Sequence, residues 1–183
     1  MKNKAVFFDR DGVINEVIFR DSDKPIAPWS LEEFKLYDDI GDPLGQLRDS
    51  GYLLFVVSNQ PDISKGLVAE EIVQKMNNVI LSQLPIEKVV FCQHEDRHNC
   101  KCRKPKPGML LDLANEYSVD LGSSYMIGDN WKDIDAGKAA GCTTILLEKD
   151  YNGSVEADYR SINLDEAVKI IKSHDRLLHS RTL

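Results

Sequence analysis

Short apolar runs alternate with amphipathic stretches from one end of the chain to the other. AVFFD (5–9), YLLFVVS (52–58), KVVFC (88–92), SYMIG (124–128) and TTILL (143–147) are continuous enough to be strands buried on both faces, as the central strands of a parallel sheet are. Between them, Ala69, Ile72, Val73, Met76, Val79 and Ile80 recur at helical spacing, as do Leu110, Leu113, Ala114 and Tyr117, and then Leu164, Ala167, Val168 and Ile171. Pro43 near the start and Gly51 just past the end bracket a further helix between the first two strands. This alternation predicts right-handed βαβ crossovers: an α/β, doubly wound, Rossmann-like parallel sheet of about five strands, which binds ligands beyond the carboxyl ends of its strands.

Polar clusters stand where those strands end. Asp9 and Asp11 follow the first strand, and residues two apart on extended chain point to one side. Ser58, Asn59 and Gln60 end the second, Arg103 and Lys104 follow the third, and Gly128-Asp129 close the fourth. Each has a bland reading: Asp-Gly is a common turn pair, Ser58 and Asp129 could be caps, and Lys104 could be a solvated charge. Four such clusters in order at one sheet edge favour a shared catalytic site.

Composition narrows the chemistry. The 183 residues fit a single domain over 1–183 that can bury a core. With 42% hydrophobic and 29% charged residues and a net charge of −7, the chain has no basic stripe for nucleic acid. The apolar run before Asp9 is too short for a signal or membrane segment, and no later one is long enough, so a cytoplasmic location with no membrane partner is expected. In that compartment the four cysteines are thiols or metal ligands before they are disulfides.

Three of those cysteines fall within CQHEDRHNCKC (92–102), where Cys92, His94, Cys100 and Cys102 form C-x-H-x₅-C-x-C. Three thiols and one imidazole satisfy tetrahedral Zn²⁺ without an open position, which predicts a structural zinc-binding loop. The bland alternative is a polar loop with incidental thiols. His98 could compete with His94, but the symmetry of one C-x-H and one C-x-C pair disfavours it. Cys142, opening the fifth strand, reads as a buried apolar residue. The loop leads directly into Arg103-Lys104, so a metal clasp there would fix two cations.

The ordered set resembles the haloacid dehalogenase (HAD) superfamily of phosphatases. DRDGVIN matches its D-x-D-G motif, SNQ its second motif, Lys104 its third and GDNWKD (128–133) its fourth. The resemblance implies phosphoryl transfer through an aspartyl-phosphate: Asp9 the nucleophile, Asp11 the general acid and base, Ser58 and Lys104 the holders of phosphoryl oxygens. It implies a catalytic Mg²⁺ on the Asp9 carboxylate, the Asp11 carbonyl and the Asp129 carboxylate, with Asp133 in support.

With its zinc loop and without a large cap domain, the chain further resembles the branch holding the heptose 1,7-bisphosphate 7-phosphatases and histidinol-phosphate phosphatases. The stretch between Asp11 and Ser58 is filled by a flap over roughly 16–38 and one helix. In that branch loops set specificity, which places substrate contacts at Asn59, Gln60, Lys65, Arg103 and Asn130. SNQPDISKG departs from the branch's TNQSGIARG, so Lys65 stands where an Arg is expected, and Asn130 stands where a basic residue is common. A Lys cannot grip phosphate bidentately as Arg does. The expectation is a monomeric phosphatase of a small phosphorylated substrate, a sugar phosphate, with heptose 1,7-bisphosphate first and histidinol phosphate or another small ester as alternative. From a different class comes a zinc-stabilised phospho-receiver or binding module, which would need neither Asp11 nor Lys104.

Overall fold

The computed structural model describes residues 2–20 and 24–180. Its strands are β1 (Lys4–Phe8), β2 (Tyr52–Asn59), β3 (Lys88–Cys92), β4 (Tyr125–Gly128), β5 (Thr143–Leu147) and β6 (Tyr159–Ser161). All pair in parallel, in the order β3-β2-β1-β4-β5-β6. The sheet thus has six strands rather than five. β6 is three residues long, lies at the edge and carries Arg160 in its middle, so it lacks the apolar run by which the other strands announce themselves.

The helices are α1 (Gly41–Asp49), α2 (Glu70–Gln83), α3 (Gly108–Glu116), α4 (Trp131–Ala140) and α5 (Leu164–Ser180). The alternation of side chains along the strands sorts them between two cores. Val6 and Phe8 of β1 pack with Leu54, Val56, Ile127 and Ile145 against Leu44 and Leu47 of α1, Ile80 of α2, and Val168 and Ile171 of α5. Ala5 and Phe7 face the other way, with Phe55, Val57 and Met126, onto Leu110 and Leu113 of α3 and Ala136 of α4. Both faces of the central strands are therefore covered, which is why their sequences read as continuous apolar runs.

Hydrophobic spacing does not mark α4. It approaches the sheet through small residues: a β-carbon on Gly137 would meet the Met126 side chain at 2.6 Å and Thr144 at 2.8 Å. No large cap covers the sheet edge among the described residues. Between β1 and α1 the chain forms a small flap in which Ile18 and Ile26 exchange backbone hydrogen bonds, and Arg20 lies over the Trp29 ring while pairing with Glu33. Residues 21–23 of the expected flap lie outside the described residues. No helix among the described residues is long and apolar enough to cross a membrane.

Candidate active site

The strand order reverses between β1 and β4, and the crevice beyond their carboxyl ends is where a doubly wound sheet binds ligands. A cleft of about 300 Å³ opens there, lined by Asp9, Asp11, Asn59, Lys104, Asp129, Asn130 and Asp133, with Val17, Ile26 and Ala27 from the flap.

Asp9 leaves β1 with its backbone N–H on the Ile127 carbonyl of β4, which fixes it at that crevice. Its Oδ1 accepts from the Arg10 backbone N–H at 2.7 Å and from Lys104 Nζ at 2.8 Å. Lys104 is 1% exposed, and its ammonium also reaches Asp133 at 2.6 Å and the Val57 carbonyl at 2.7 Å. Burial alone would discharge this lysine, but Asp133 and Asp9 outweigh it and hold the pKa above its usual value. The Asp9 carboxyl is raised to about 7, chiefly by burial and then by Asp133, against the pull of Lys104.

Asp129 is likewise raised to about 7 by burial and by Asp9. Its Oδ2 takes the Tyr151 phenol, and its carbonyl takes the Asn152 amide at 2.8 Å. Gly12, at φ +88°, lets the turn after Asp11 pass this carboxylate, since a β-carbon there would run into Asp129. Gly128 does the same for Asp133.

Asp11 is held at both oxygens. Arg10 and Asn15 donate to Oδ1, and Gln60 Nε2 donates to Oδ2 at 2.7 Å while also reaching Ser58 Oγ at 2.9 Å. Gln60 and Ser58 are each 1% exposed, so Gln60 is engaged with Asp11 and Ser58 rather than with the cleft mouth. Asn59 exchanges two hydrogen bonds with the Lys104 backbone, at 2.9 and 3.1 Å, and ties the end of β2 to the loop that delivers the lysine.

The outer cations carry carboxylate partners: Lys65 pairs with Asp62 at 2.9 Å, and Arg103 Nε with Asp96 at 2.7 Å. The Asn130 side chain accepts from the Lys132 N–H and caps α4, with Asp133 completing a capping box. The positive charge expected at Asn130 stands instead two residues later, as Lys132 lines the same cleft. Sequence reasoning did not single out Lys132, Tyr151 or Arg10. Lys132 and Arg10 carried no signal beyond their place inside motifs, and Tyr151 belongs to a polar loop after β5 with no motif at all.

Two clusters suit metals. Ligand atoms of Asp9, Asp129 and Asp133 lie within 4.8 Å of one another. Crowded, buried carboxylates whose protons are retained to about pH 7 fit a small hard divalent cation that would displace those protons. Lys104 bridges Asp9 and Asp133 at 2.8 and 2.6 Å, Asp129 has no contact with the lysine ammonium, and the Asp11 carboxylate stays out of the cluster.

In the second cluster, Cys92, His94, Cys100 and Cys102 converge with S···S separations of 3.1–3.5 Å and His94 Nδ1 at 3.5 Å from two of the sulfurs. The donor set is that of tetrahedral zinc. His98 does not join, because its Nδ1 accepts the Glu95 N–H at 2.9 Å. Burial raises the Cys100 thiol, yet hydrogen bonds from the Arg103 backbone and the neighbouring thiols outweigh it and lower the pKa to about 7. Cys142, away from both clusters, is buried as an apolar residue.

A family model described as HAD-hydrolase-like matches residues 101–170. The fold aligns, with a TM-score of 0.76 and 26% identity over 93% of this chain and 99% of the other, with a D,D-heptose 1,7-bisphosphate phosphatase from B. bronchiseptica complexed with magnesium and phosphate. The sheet and its crevice are those of a HAD-superfamily phosphatase. Along the sequence, the D-glycero-α-D-manno-heptose-1,7-bisphosphate 7-phosphatase of Campylobacter jejuni is 34% identical over 96% of this chain and 99% of its own. The β-anomer-named counterpart from Rhodopseudomonas palustris is 35% identical over 80% and 84%. The chain belongs to this family of heptose-bisphosphate phosphatases.

Proposed function

We propose that the protein is a Mg²⁺-dependent phosphomonoesterase of one domain, acting as a cytoplasmic monomer, that removes the 7-phosphate of D-glycero-D-manno-heptose 1,7-bisphosphate through an aspartyl-phosphate on Asp9. The observation that carries the reaction is the Asp9 carboxylate in the cleft, bonded at 2.8 Å to a buried lysine. The near full-length similarity to the heptose enzymes supports the substrate.

Both protein donors to Asp9 sit on Oδ1, so Oδ2 is the oxygen free to attack phosphorus in line. As the bond to the leaving oxygen breaks, its electron pair stays on the alkoxide, which Asp11 protonates. Asp11 then takes a proton from the water that cleaves the acyl phosphate, releasing inorganic phosphate and restoring Asp9. Ser58 and Lys104 hold the phosphoryl oxygens, each donor contributing about 3 kcal/mol in a preorganised site. Asp133 aims the lysine. Mg²⁺ held by Asp9, the Asp11 carbonyl and Asp129 would offset the repulsion between anionic nucleophile and anionic substrate. Zn²⁺ on Cys92, His94, Cys100 and Cys102 would stiffen the loop that carries Arg103 and Lys104.

With no cap, discrimination falls to the cations at the cleft wall, where Arg103 is held by Asp96 while Lys104 sits on Asp9. Arg103→Ala is expected to lower kcat/KM about thirtyfold, or about 2 kcal/mol, for a sugar bisphosphate and much less for a matched monophosphate. Equal losses on both would place Arg103 on the reacting phosphate and remove the case for a bisphosphate. The zinc site has its own check. Metal analysis should find about one zinc per chain, and Cys100→Ser should lower both zinc content and melting temperature, whereas zinc-free reduced protein of native stability would refute the clasp.

A further inference from the structure

Arg10 is the one wholly buried charged side chain among the described residues that the reaction scheme leaves without a role; its exposure is 0%. A guanidinium taken out of water costs several kcal/mol unless its donors are matched, so the place where its donors go carries information. Nε and Nη2 both reach Asp11 Oδ1, at 3.3 and 3.1 Å, and Nη1 reaches the Asn77 side-chain oxygen at 3.2 Å. The Phe34 ring lies 5.9 Å from the guanidinium carbon.

Asn77 is itself out of place by ordinary patterning. It sits in α2 on the face that buries Val73, Met76 and Ile80, and it is 3% exposed. A polar residue in such a row is tolerated when its hydrogen bond is satisfied, and here its oxygen goes to Arg10. A chain of contacts therefore runs from the interior of α2, through Asn77 and Arg10, to the Asp11 carboxylate.

The two Asp11 oxygens are loaded unequally. Oδ1 accepts from Arg10 twice and from Asn15 at 3.0 Å, whereas Oδ2 accepts from Gln60 alone. Three donors, two from a permanent cation, fix the rotation of the carboxylate and leave Oδ2 as the oxygen able to exchange a proton with a ligand in the cleft.

We propose that Arg10 is a positioning residue: anchored by Asn77, it clamps Asp11 by Oδ1 so that Oδ2 is presented to the leaving-group oxygen. The role rests on the phosphatase reading above, in which Asp11 protonates the departing alkoxide. It has a chemical signature that loss of folded protein does not share. Phenolates such as p-nitrophenolate depart without a proton, whereas alkoxides need one, so a misaimed acid slows alkyl esters selectively at the step that kcat/KM reports.

The experiment compares kcat/KM for p-nitrophenyl phosphate and glycerol 2-phosphate in native protein, Arg10→Gln, Arg10→Lys, Asn77→Ala and Asp11→Asn. For Arg10→Gln the expected loss is on the order of 100-fold with glycerol 2-phosphate and under about fivefold with p-nitrophenyl phosphate. Arg10→Lys should recover part of the difference, and Asn77→Ala should show the same selectivity, weaker. If Arg10→Gln does not fold, Asn77→Ala decides on the same ratio. Equal losses on the two esters, with Asp11→Asn selective, overturn the role of Arg10 and leave the phosphatase reading standing. An unselective Asp11→Asn removes the acid role itself, and the proposal falls with it.

Discussion

Asp9→Asn is expected to lower turnover of any phosphate ester by on the order of 10⁵-fold, the scale of loss when a covalent nucleophile is removed. An amide oxygen is too weak to displace an alkoxide from phosphorus, and the variant has no carboxylate to carry the phosphoryl group. Folding should survive. The Asn side-chain oxygen can still accept from the Arg10 N–H and Lys104 Nζ, the two bonds that Asp9 Oδ1 makes. Burial and the neighbouring Asp133 and Asp11 already work against a charge at this position, so the fold tolerates its loss. The defect should therefore appear in the chemical step and not in the yield of folded protein. Acid-quenched native enzyme should carry protein-bound phosphate and the variant none; residual turnover within about a hundredfold of native would exclude Asp9 as nucleophile.

Lys104→Met should cost on the order of 10³-fold in kcat/KM even for p-nitrophenyl phosphate, because the lost charge acts on phosphoryl oxygens and not on the leaving group. Methionine matches the length of the lysine stem, so packing is nearly kept. What goes is the ammonium that sits between Asp9 at 2.8 Å and Asp133 at 2.6 Å. Stability should fall as well, since removing one partner of a buried ion pair strands the other, at about 3–5 kcal/mol. The sign of the pH effect follows from the same contact. Lys104 lowers the Asp9 carboxyl against burial, so without it that carboxyl rises further above its value of about 7. The acidic limb of the pH–rate profile should then move to higher pH. A profile that stays in place, with kcat/KM within tenfold of native, would show that Lys104 serves neither Asp9 nor the phosphoryl group.

Side-chain patterning carried much of the architecture. β1, β2, β4 and β5 are covered on both faces, where a continuous apolar run is favoured, and β3 keeps such a run although it is a half-buried edge strand. The helices at Glu70–Gln83 and Leu164–Ser180 show their spacing because one face of each meets the sheet. β6 and α4 were hidden for opposite reasons. The first is a short edge strand half in solvent, and the second packs through Gly137 and Ala136, whose lack of bulk brings it close to the sheet and also erases the periodic signal.

The same division runs through the site. Topology turns a sequence pattern into a place: any polar residue just beyond a parallel strand arrives at one edge, so Asp9, Asp11, Ser58, Lys104 and Asp129 could be assembled on paper. The convergence of Cys92, His94, Cys100 and Cys102 needed only their spacing. What a side chain touches once it arrives depends on neighbours remote in sequence, and that only the tertiary structure decided. Asn59 and Gln60 turn inward to Lys104 and to Asp11, Asn130 caps a helix while Lys132 lines the cleft, and Tyr151 reaches Asp129 across 22 positions. Backbone direction and hydrophobic period are local properties, written residue by residue; hydrogen-bond partners in a buried polar cluster are settled by packing, where each donor takes the acceptor that the folded chain brings within reach.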